Sequence, residues 1–402
     1  MCKVLWINFL HLYQPATVDN ETVIEATEKS YTRIIRALIK NPDIKFTLNI
    51  AGCLVERWEK LGYEKLIKDI KKLIENNQVE LTGSAAYHAF LPLLPKNEAE
   101  RQIKLNEKIL KKYFGENLKL NGFFIPEAAY SKDVAKIIKK LGYKWILLDE
   151  ISLGEKNNEI NYFTKYIDKN SGIFICFRSR DLSKSYVPQT IFDIIMPRAN
   201  VNKNKLEPKI KNKIAITATD AELYGLRHND ISRTFEKLLE KDKIKTALIS
   251  EHLNNLKRKK IIKPIASSWE STEEELKKNL PYHLWYNKKN KIQKNLWKLA
   301  NFAIKSVCAH KDDENYQWAR LHLDKGLSSC TFWWASAKDF RLFGSISWSP
   351  DEIERGTNEL IRSIRAIENV TARKTKIKAE KLYIKIKTMV WQNHWKYYWK
   401  NQ

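Results

Sequence analysis

KIAITATDAELYGLRH, running from Lys213 to His228, reads as a strand that ends in acid. Ile214, Ala215, Ile216 and Ala218 form a short apolar run of the kind expected of a strand buried on both faces, and polar residues arrive abruptly at Asp220 and Glu222. In folds built on parallel strands, ligands gather at the carboxyl ends of the strands, so an acid there is well placed for chemistry. Asn121-Gly122-Phe123-Phe124-Ile125-Pro126-Glu127 has the same form: an aromatic strand, stopped by Pro126, that presents Glu127. Two carboxylates at two strand ends suit acid/base or nucleophilic work on a neutral substrate. Alternatively, Asp220 caps the next turn and Glu127 caps a helix that begins near Ser131, since strand-end acids cap turns routinely.

Outward from these two stretches the chain alternates strand and helix. Lys3 to Leu10 is an apolar strand followed by His11-Leu12-Tyr13-Gln14-Pro15, in which Pro15 stops the strand and leaves His11 and Gln14 at its end. A helix is expected over Thr22 to Ile39, a strand over Lys45 to Ile50, helical stretches from Cys53 to Asn76, and a short strand Val79-Glu80-Leu81-Thr82 that ends in Gly83-Ser84-Ala85-Ala86-Tyr87-His88. A helix from Asn97 to Phe114 precedes the Glu127 strand, a helix from Lys132 to Leu141 follows it, and Tyr143 to Leu148 is the next strand. Asn157 to Ile167 breaks the rhythm as an irregular excursion, and Ile173 to Phe177 resumes it, ending in Arg178-Ser179-Arg180-Asp181. Pro197 to Lys211 reads as a solvated connection into the Asp220 strand, two helices follow over Ile231 to Leu256, and Ile261 to Ala266 reads as a last strand leading to Trp269.

Such alternation means a parallel sheet or a closed barrel, and the α/β fold expected is an incomplete parallel (β/α)7 barrel over residues 1–270. From about Leu276 the periodic segments look helical, so residues 271–402 are expected to form an α-helical C-terminal domain. A chain of 402 residues accommodates both. The charge of +25 raises nucleic acid as a partner, but the lysines are spread over nearly every helix with no reading module beside them, so no nucleic acid is expected. The basic tail, Arg373 to Lys387, reads as a solvated helix face. Five cysteines, odd in number and never in a CxxC pair, argue for reduced thiols. No apolar run approaches the ~20 residues of a membrane span, and the first residues lack the apolar core of a signal peptide. A cytoplasmic location, with no membrane partner, is the expectation.

The strand-end motifs together resemble glycoside hydrolase family 57, retaining enzymes that mostly act on α-glucans. His11 with Gln14-Pro15 resembles the opening His-Gln-Pro motif, with two residues inserted between His and Gln. Gly83-Ser84 through His88 stands where the second motif lies. Gly122 to Glu127 is similar to the third, whose Glu is the nucleophile, and Asp220-Ala221-Glu222-Leu223-Tyr224-Gly225 to the fourth, whose Asp is the acid/base. The resemblance thus implies Glu127 and Asp220 as catalytic residues and an oligo- or polysaccharide substrate, with hydrolysis and glucan transfer sharing one intermediate. Phe124 stands where many members carry Trp, Ser84 and Ala86 replace the usual Asn and Glu, and Leu226-Arg227-His228 replaces a Gly-His pattern.

Carboxyl groups about 5–5.5 Å apart on either side of a glycosidic bond suit a two-step covalent displacement. His11, Gln14 and His88 can hydrogen-bond sugar hydroxyls, and Phe124 and Glu222 lie in the motifs that face sugar. Trp269, Trp333 and Trp334 can stack on a pyranose ring, or they belong to core between domains. His11, His88 and Asp220 could instead hold a metal, as in deacetylases on a related barrel, but no His-x-x-x-His pair lies at a strand end and no metal or other cofactor is expected. A carbohydrate-binding module without catalysis is the remaining alternative.

Overall fold

The computed structural model describes residues 4–154, 160–196, 213–337 and 348–400. The connection expected over Pro197 to Lys211, and most of the first half of the excursion after Asn157, lie outside the described residues. Two compact units are present. The first comprises residues 1–14, 19–86 and 91–269; the second comprises 15–18, 87–90 and 270–402.

In the first unit, β1 (Val4–Leu12) is buried along nearly its whole length and pairs in parallel with β2 (Phe46–Ile50), which pairs with β3 (Val79–Leu81). A second run pairs β4 (Gly122–Phe123) with β5 (Trp145–Asp149) and β5 with β7 (Phe174–Arg178), all in parallel, and an extra strand β6 (Thr164–Asp168) lies antiparallel on the far side of β7. The Asp220 strand, β8 (Ile214–Asp220), lies along β1 from Leu5↔Ile214 to His11↔Asp220. Two narrow seams close the ring. Gly83 bridges Phe123 in parallel, with Gly83 N donating to Gly122 O at 2.9 Å, and Ser179 N donates to Ile216 O at 2.7 Å. Seven parallel strands, β1 to β5 with β7 and β8, thus form the incomplete (β/α)7 barrel that the alternation predicted. Apolar β-branched and aromatic residues pack both faces of its strands, among them Trp6, Ile7, Phe9, Phe46, Phe123, Ile146 and Ile216.

Three expectations are corrected. Ile261 to Ala266 is not a barrel strand: after the short β9 (Ile244–Thr246), β10 (Arg258–Ile262) pairs with β6 on the second sheet, its first four residues exposed. The excursion is not wholly irregular, since β6 occupies its end. The helix expected over Thr22 to Ile39 is interrupted by a π-helical turn, Thr27–Tyr31. On the outside, helix α1 (Thr32–Lys40) buries Ile34, Ile35 and Leu38, and α2 (Glu64–Glu75) buries Leu66, Ile67, Ile70 and Leu73, the spacing of an amphipathic helix. Helix α3 (Lys132–Lys140) follows the Glu127 turn.

The second unit is helical, as expected for the region after the barrel. Its main helices are α4 (Lys291–Ala309), α5 (Tyr316–Gly326), α6 (Pro350–Arg365) and α7 (Arg373–Lys400). The stretch at 87–90 joins it through backbone bonding of Ser329 N to His88 O at 3.0 Å and an antiparallel bridge between Ala89 and Ser328.

The seam at β4 depends on the absence of a side chain. A Cβ at Gly122 would fall inside the indole of Trp145, itself buried in the core. Gly122→Ala is therefore expected to cost about 1–3 kcal/mol of stability, the range for overpacking a dense core. Denaturant unfolding measures it, and an unchanged midpoint would mean that Trp145 repacks freely.

Candidate functional site

The mouth of the barrel, at the carboxyl ends of its strands, is built as a row across β8, β1 and β2. His11 stands in register with Asp220 on one side and Asn49 on the other. Its Nδ1 lies 2.8 Å from Asn49 Oδ1, and Asn49 Nδ2 donates to Thr82 Oγ1 at 3.2 Å. Since a side-chain amide oxygen only accepts, Nδ1 carries the proton and Nε2 the lone pair. Burial lowers the His11 pKa below its ordinary value, against the opposing charge of Asp220, so the imidazole is neutral.

Glu127 sits on a one-turn 3-10 helix, Pro126–Ala128, after β4. Its φ of 63° and the 47° of Ala128 are left-handed conformations that L residues rarely adopt, a strain of the kind concentrated at functional sites. Two main-chain bonds hold the turn: Trp269 N to Glu127 O at 3.0 Å and Tyr130 N to Ser267 O at 2.8 Å. The Trp269 indole then donates to Glu127 Oε2 at 3.0 Å. Phe124 is buried beneath this pair, its ring centroid 4.8 Å from His11 and 5.4 Å from Trp269, and His11 lies 6.2 Å from Trp269. A continuous path of contacts therefore runs from Asp220 through His11 and Trp269 to Glu127. The capping alternative fails for both acids. Ser131 caps α3, accepting from Val134 N, and Asp220 makes no side-chain cap to the turn that follows it.

Around Asp220 the charges are layered. Arg227 Nη1 donates to Asp220 Oδ2 at 2.8 Å, both side chains being partly exposed. Glu222 is buried beneath, accepting from Gln14 Nε2 at 2.8 Å and from the Tyr31 hydroxyl. Gln14 Nε2 also donates to the Tyr31 oxygen at 3.1 Å, so both amide hydrogens of Gln14 are engaged inside the protein. Of the residues expected at a site, seven come together here: His11, Gln14, Phe124, Glu127, Asp220, Glu222 and Trp269. His88, Trp333 and Trp334 belong to the second unit, where His88 Nδ1 lies 2.9 Å from Ser329 Oγ and the two indoles meet edge to face at 4.6 Å.

A profile of the Glycosyl hydrolase family 57 matches residues 7–264. The chain belongs to this family. It is 25% identical over 291 residues to an alpha-amylase of Pyrococcus horikoshii, covering 68% of this chain and 44% of that protein, so it spans under half of that relative's length. Among solved structures, the 4-alpha-glucanotransferase of Thermococcus litoralis superposes with a TM-score of 0.71 at 18% identity, over 92% of this chain and 60% of that one. A family 57 branching enzyme of Pyrococcus horikoshii gives 0.67 at 15% identity, over 96% of each chain. At these identities the structures speak for the fold, which they share across members with different printed activities.

The sequence left several residues at the barrel mouth unassigned. Arg178 Nε donates to Asp149 Oδ2 and Arg180 Nη1 to Asp149 Oδ1, each at 2.7 Å, while Arg178 Nη1 reaches Ala218 O at 2.8 Å and its guanidinium lies 4.9 Å from the Trp269 ring. Arg178 thus ties β5, β7 and β8 to the indole that holds Glu127. Asp149 and Arg178 both end strands, so the rule that singled out Asp220 applied to them as well; their pairing across strands is what sequence does not show. Among the described residues no group of three or more His, Cys, Asp or Glu side chains is placed to hold a metal ion.

Glu222 gives a pH signature to this site. Burial, and secondarily the charge of Asp220, push its carboxyl up to about 7 from an ordinary 4.5. A carboxyl raised on folding stabilises the protein fully below its unfolded value, and that contribution is lost as pH rises through the folded value. Between pH 4 and pH 8, Glu222→Gln should therefore gain on the wild type by on the order of 3 kcal/mol in denaturant unfolding. A difference that does not change with pH would show Glu222 to be an ordinary ionised carboxylate.

Proposed function

We propose that the chain is a retaining glycoside hydrolase or glucanotransferase acting on α-linked glucans, with residues 1–270 as its catalytic barrel, Glu127 as nucleophile and Asp220 as general acid/base. The observation that carries this is the path of contacts across one barrel mouth from Asp220 through His11 and Trp269 to Glu127, with neither carboxylate used as a cap. Membership of family 57 and the printed names of its relatives, alpha-amylase and 4-alpha-glucanotransferase among them, supply the substrate class.

In the first step Glu127 attacks the anomeric carbon and the bond to the leaving oxygen breaks as Asp220 passes its proton to that oxygen. The glycosyl-enzyme ester is then opened by water, or by the hydroxyl of a second glucan, as Asp220 takes back a proton. The Trp269 N–H donates to one Glu127 oxygen and so orients the carboxylate. Neutral His11 beside Asp220 adds no positive charge there and offers hydrogen bonding to sugar hydroxyls. Phe124, wholly buried, backs His11 and Trp269, while Glu222 with Tyr31 orients Gln14. Arg227 must leave Asp220 when a leaving group takes its place. His88, Trp333 and Trp334 have no assigned part. We place the reaction in the cytoplasm, since five cysteines, odd in number and never in a CxxC pair, suit a reducing compartment.

The test is incubation with maltooligosaccharides, following anomeric configuration by NMR and chain lengths by chromatography. Retention with shortening products indicates hydrolysis, and retention with both longer and shorter products indicates transfer. Glu127→Ala should lower turnover by about three orders of magnitude or more, and azide should restore bond cleavage to give a glycosyl azide of inverted configuration. Asp220→Ala should spare activated aryl glycosides in the first step, and azide rescue should there give retained configuration. Swapped signatures reverse the roles. Binding without turnover makes the barrel a binding module, and turnover of N-acetylated sugars that stops on chelation makes it a deacetylase.

A further inference from the structure

The C-terminal helix α7 has two apolar stripes. One, of Ala379, Tyr383, Ile386 and Val390, is buried against the rest of the helical unit at the 4-3-4 spacing of a packed face. The other points away. Ile377 and Ile384 are 51% and 59% exposed, Trp395 is 48% exposed, and Val370, on the turn that leads into the helix, is 85% exposed. The spacings of seven and eleven residues from Ile377 to Ile384 to Trp395 are each close to a whole number of α-helical turns, so these three fall in one line, with Val370 exposed on the 3-10 turn before it. At about 100° per residue Ile377 and Ile384 lie roughly 160° and 140° from Ala379, almost opposite the core face. From Ile377 to Trp395 the line is about 27 Å long.

Lysines border it. Lys374 and Lys381 stand three before and four after Ile377, Lys381 is also three before Ile384, and with Lys378, Lys385 and Lys396 all are exposed. Glu380, the helix's one acid, is already held by Arg365 at 2.6 Å, and Lys387 is paired to Glu354 at 3.3 Å. An aliphatic line between rows of lysine does not suit a second copy of the chain, since pairing would press lysine against lysine. It does not suit a nucleic acid either, which would use the lysines but has nothing for valine and isoleucine to fill. The boundary between anionic headgroups and acyl chains takes both. No helix among the described residues is long and apolar enough to cross a membrane, so contact is in the plane of the surface.

We propose that the outer face of α7, through Val370, Ile377, Ile384 and Trp395 with their flanking lysines, docks the protein on an anionic lipid surface. The test is flotation of the full chain with vesicles of phosphatidylcholine alone or mixed equally with phosphatidylglycerol, at physiological ionic strength. Binding is expected to the mixed vesicles only. The paired change Ile377→Asp and Ile384→Asp should lower the bound fraction roughly tenfold or more, as should Lys374→Glu with Lys381→Glu; all four positions are exposed, and thermal unfolding checks that both variants remain folded. No binding to the mixed vesicles overturns the proposal. So does binding untouched by the isoleucine changes, which would be adsorption of a +25 protein by charge alone. Sedimentation showing a dimer that the isoleucine changes dissolve would assign the face to a second copy, and preferential retention by RNA that only the lysine changes weaken would assign it to nucleic acid.

Discussion

The parallel pairing of β1 with β8, held in register from Leu5↔Ile214 to His11↔Asp220, is the contact on which both the barrel and its mouth depend. A slip of one residue would turn every side chain of β8 to the opposite face, moving Ile214, Ile216 and Ala218 out of their packing and Asp220 away from His11. Apolar burial along the two strands fixes the register, and the register in turn fixes the polar row at the end. Further polar contacts reinforce it on the face of these strands opposite His11 and Asp220: Trp6 Nε1 donates to Thr217 Oγ1 at 2.8 Å, and Thr217 donates to Asn8 Oδ1 at 2.9 Å. Groups buried this deeply stay only where they are paired, so they discriminate against misaligned strands.

The same economy appears at the β5 and β7 ends. Asp149 is fully buried, and two guanidinium groups neutralise it. Removing one partner from such a cluster costs about 3–5 kcal/mol, whereas the intact cluster contributes far less. Its value lies in placement: Arg178 is held by Asp149 and Ala218 O while its guanidinium plane lies against Trp269, and Trp269 holds the strained turn of Glu127. A backbone at positive φ persists only where surrounding contacts over-determine it. Here the two main-chain bonds from Ser267 and Trp269 and the indole bond do so.

Strand ends that combine an apolar run with a sudden acid were legible from sequence, because period and punctuation are local. β8 and the Glu127 turn were found in this way. The end of β10 misled, since Ile261 and Ile262 read as core while Arg258, Lys259 and Lys260 before them mark an edge strand that water can reach. The π-turn at Thr27–Tyr31 had no local signature. It lies where the Tyr31 hydroxyl meets Glu222, a contact 191 residues away that no local pattern shows. Arg227 was visible only as a departure from a motif, and its contact with Asp220 depends on the turn between them. From sequence, Arg373 to Lys387 reads as a solvated helix face, and Ile377 and Ile384 fall within it. A count of lysines does not separate the outward isoleucines from the inward ones; the buried face of the folded helix does.

The layered charges set the two acids of the mouth apart. Glu222 and Asp220 are two residues apart but differently placed: burial raises the pKa of the enclosed Glu222 carboxyl, while Asp220, partly exposed, meets Arg227. On the proposed mechanism a neutral glycan that settles on Asp220 removes its water and takes the place of Arg227. Until then Arg227 Nη1 donates to Asp220 Oδ2 at the rim. Arg227 is partly exposed at the rim, whereas Arg178 is buried between Asp149 and Ala218 O. The two arginines therefore differ in what they hold: Arg178 backs the indole that bonds Glu127, and Arg227 meets Asp220 where water still reaches it.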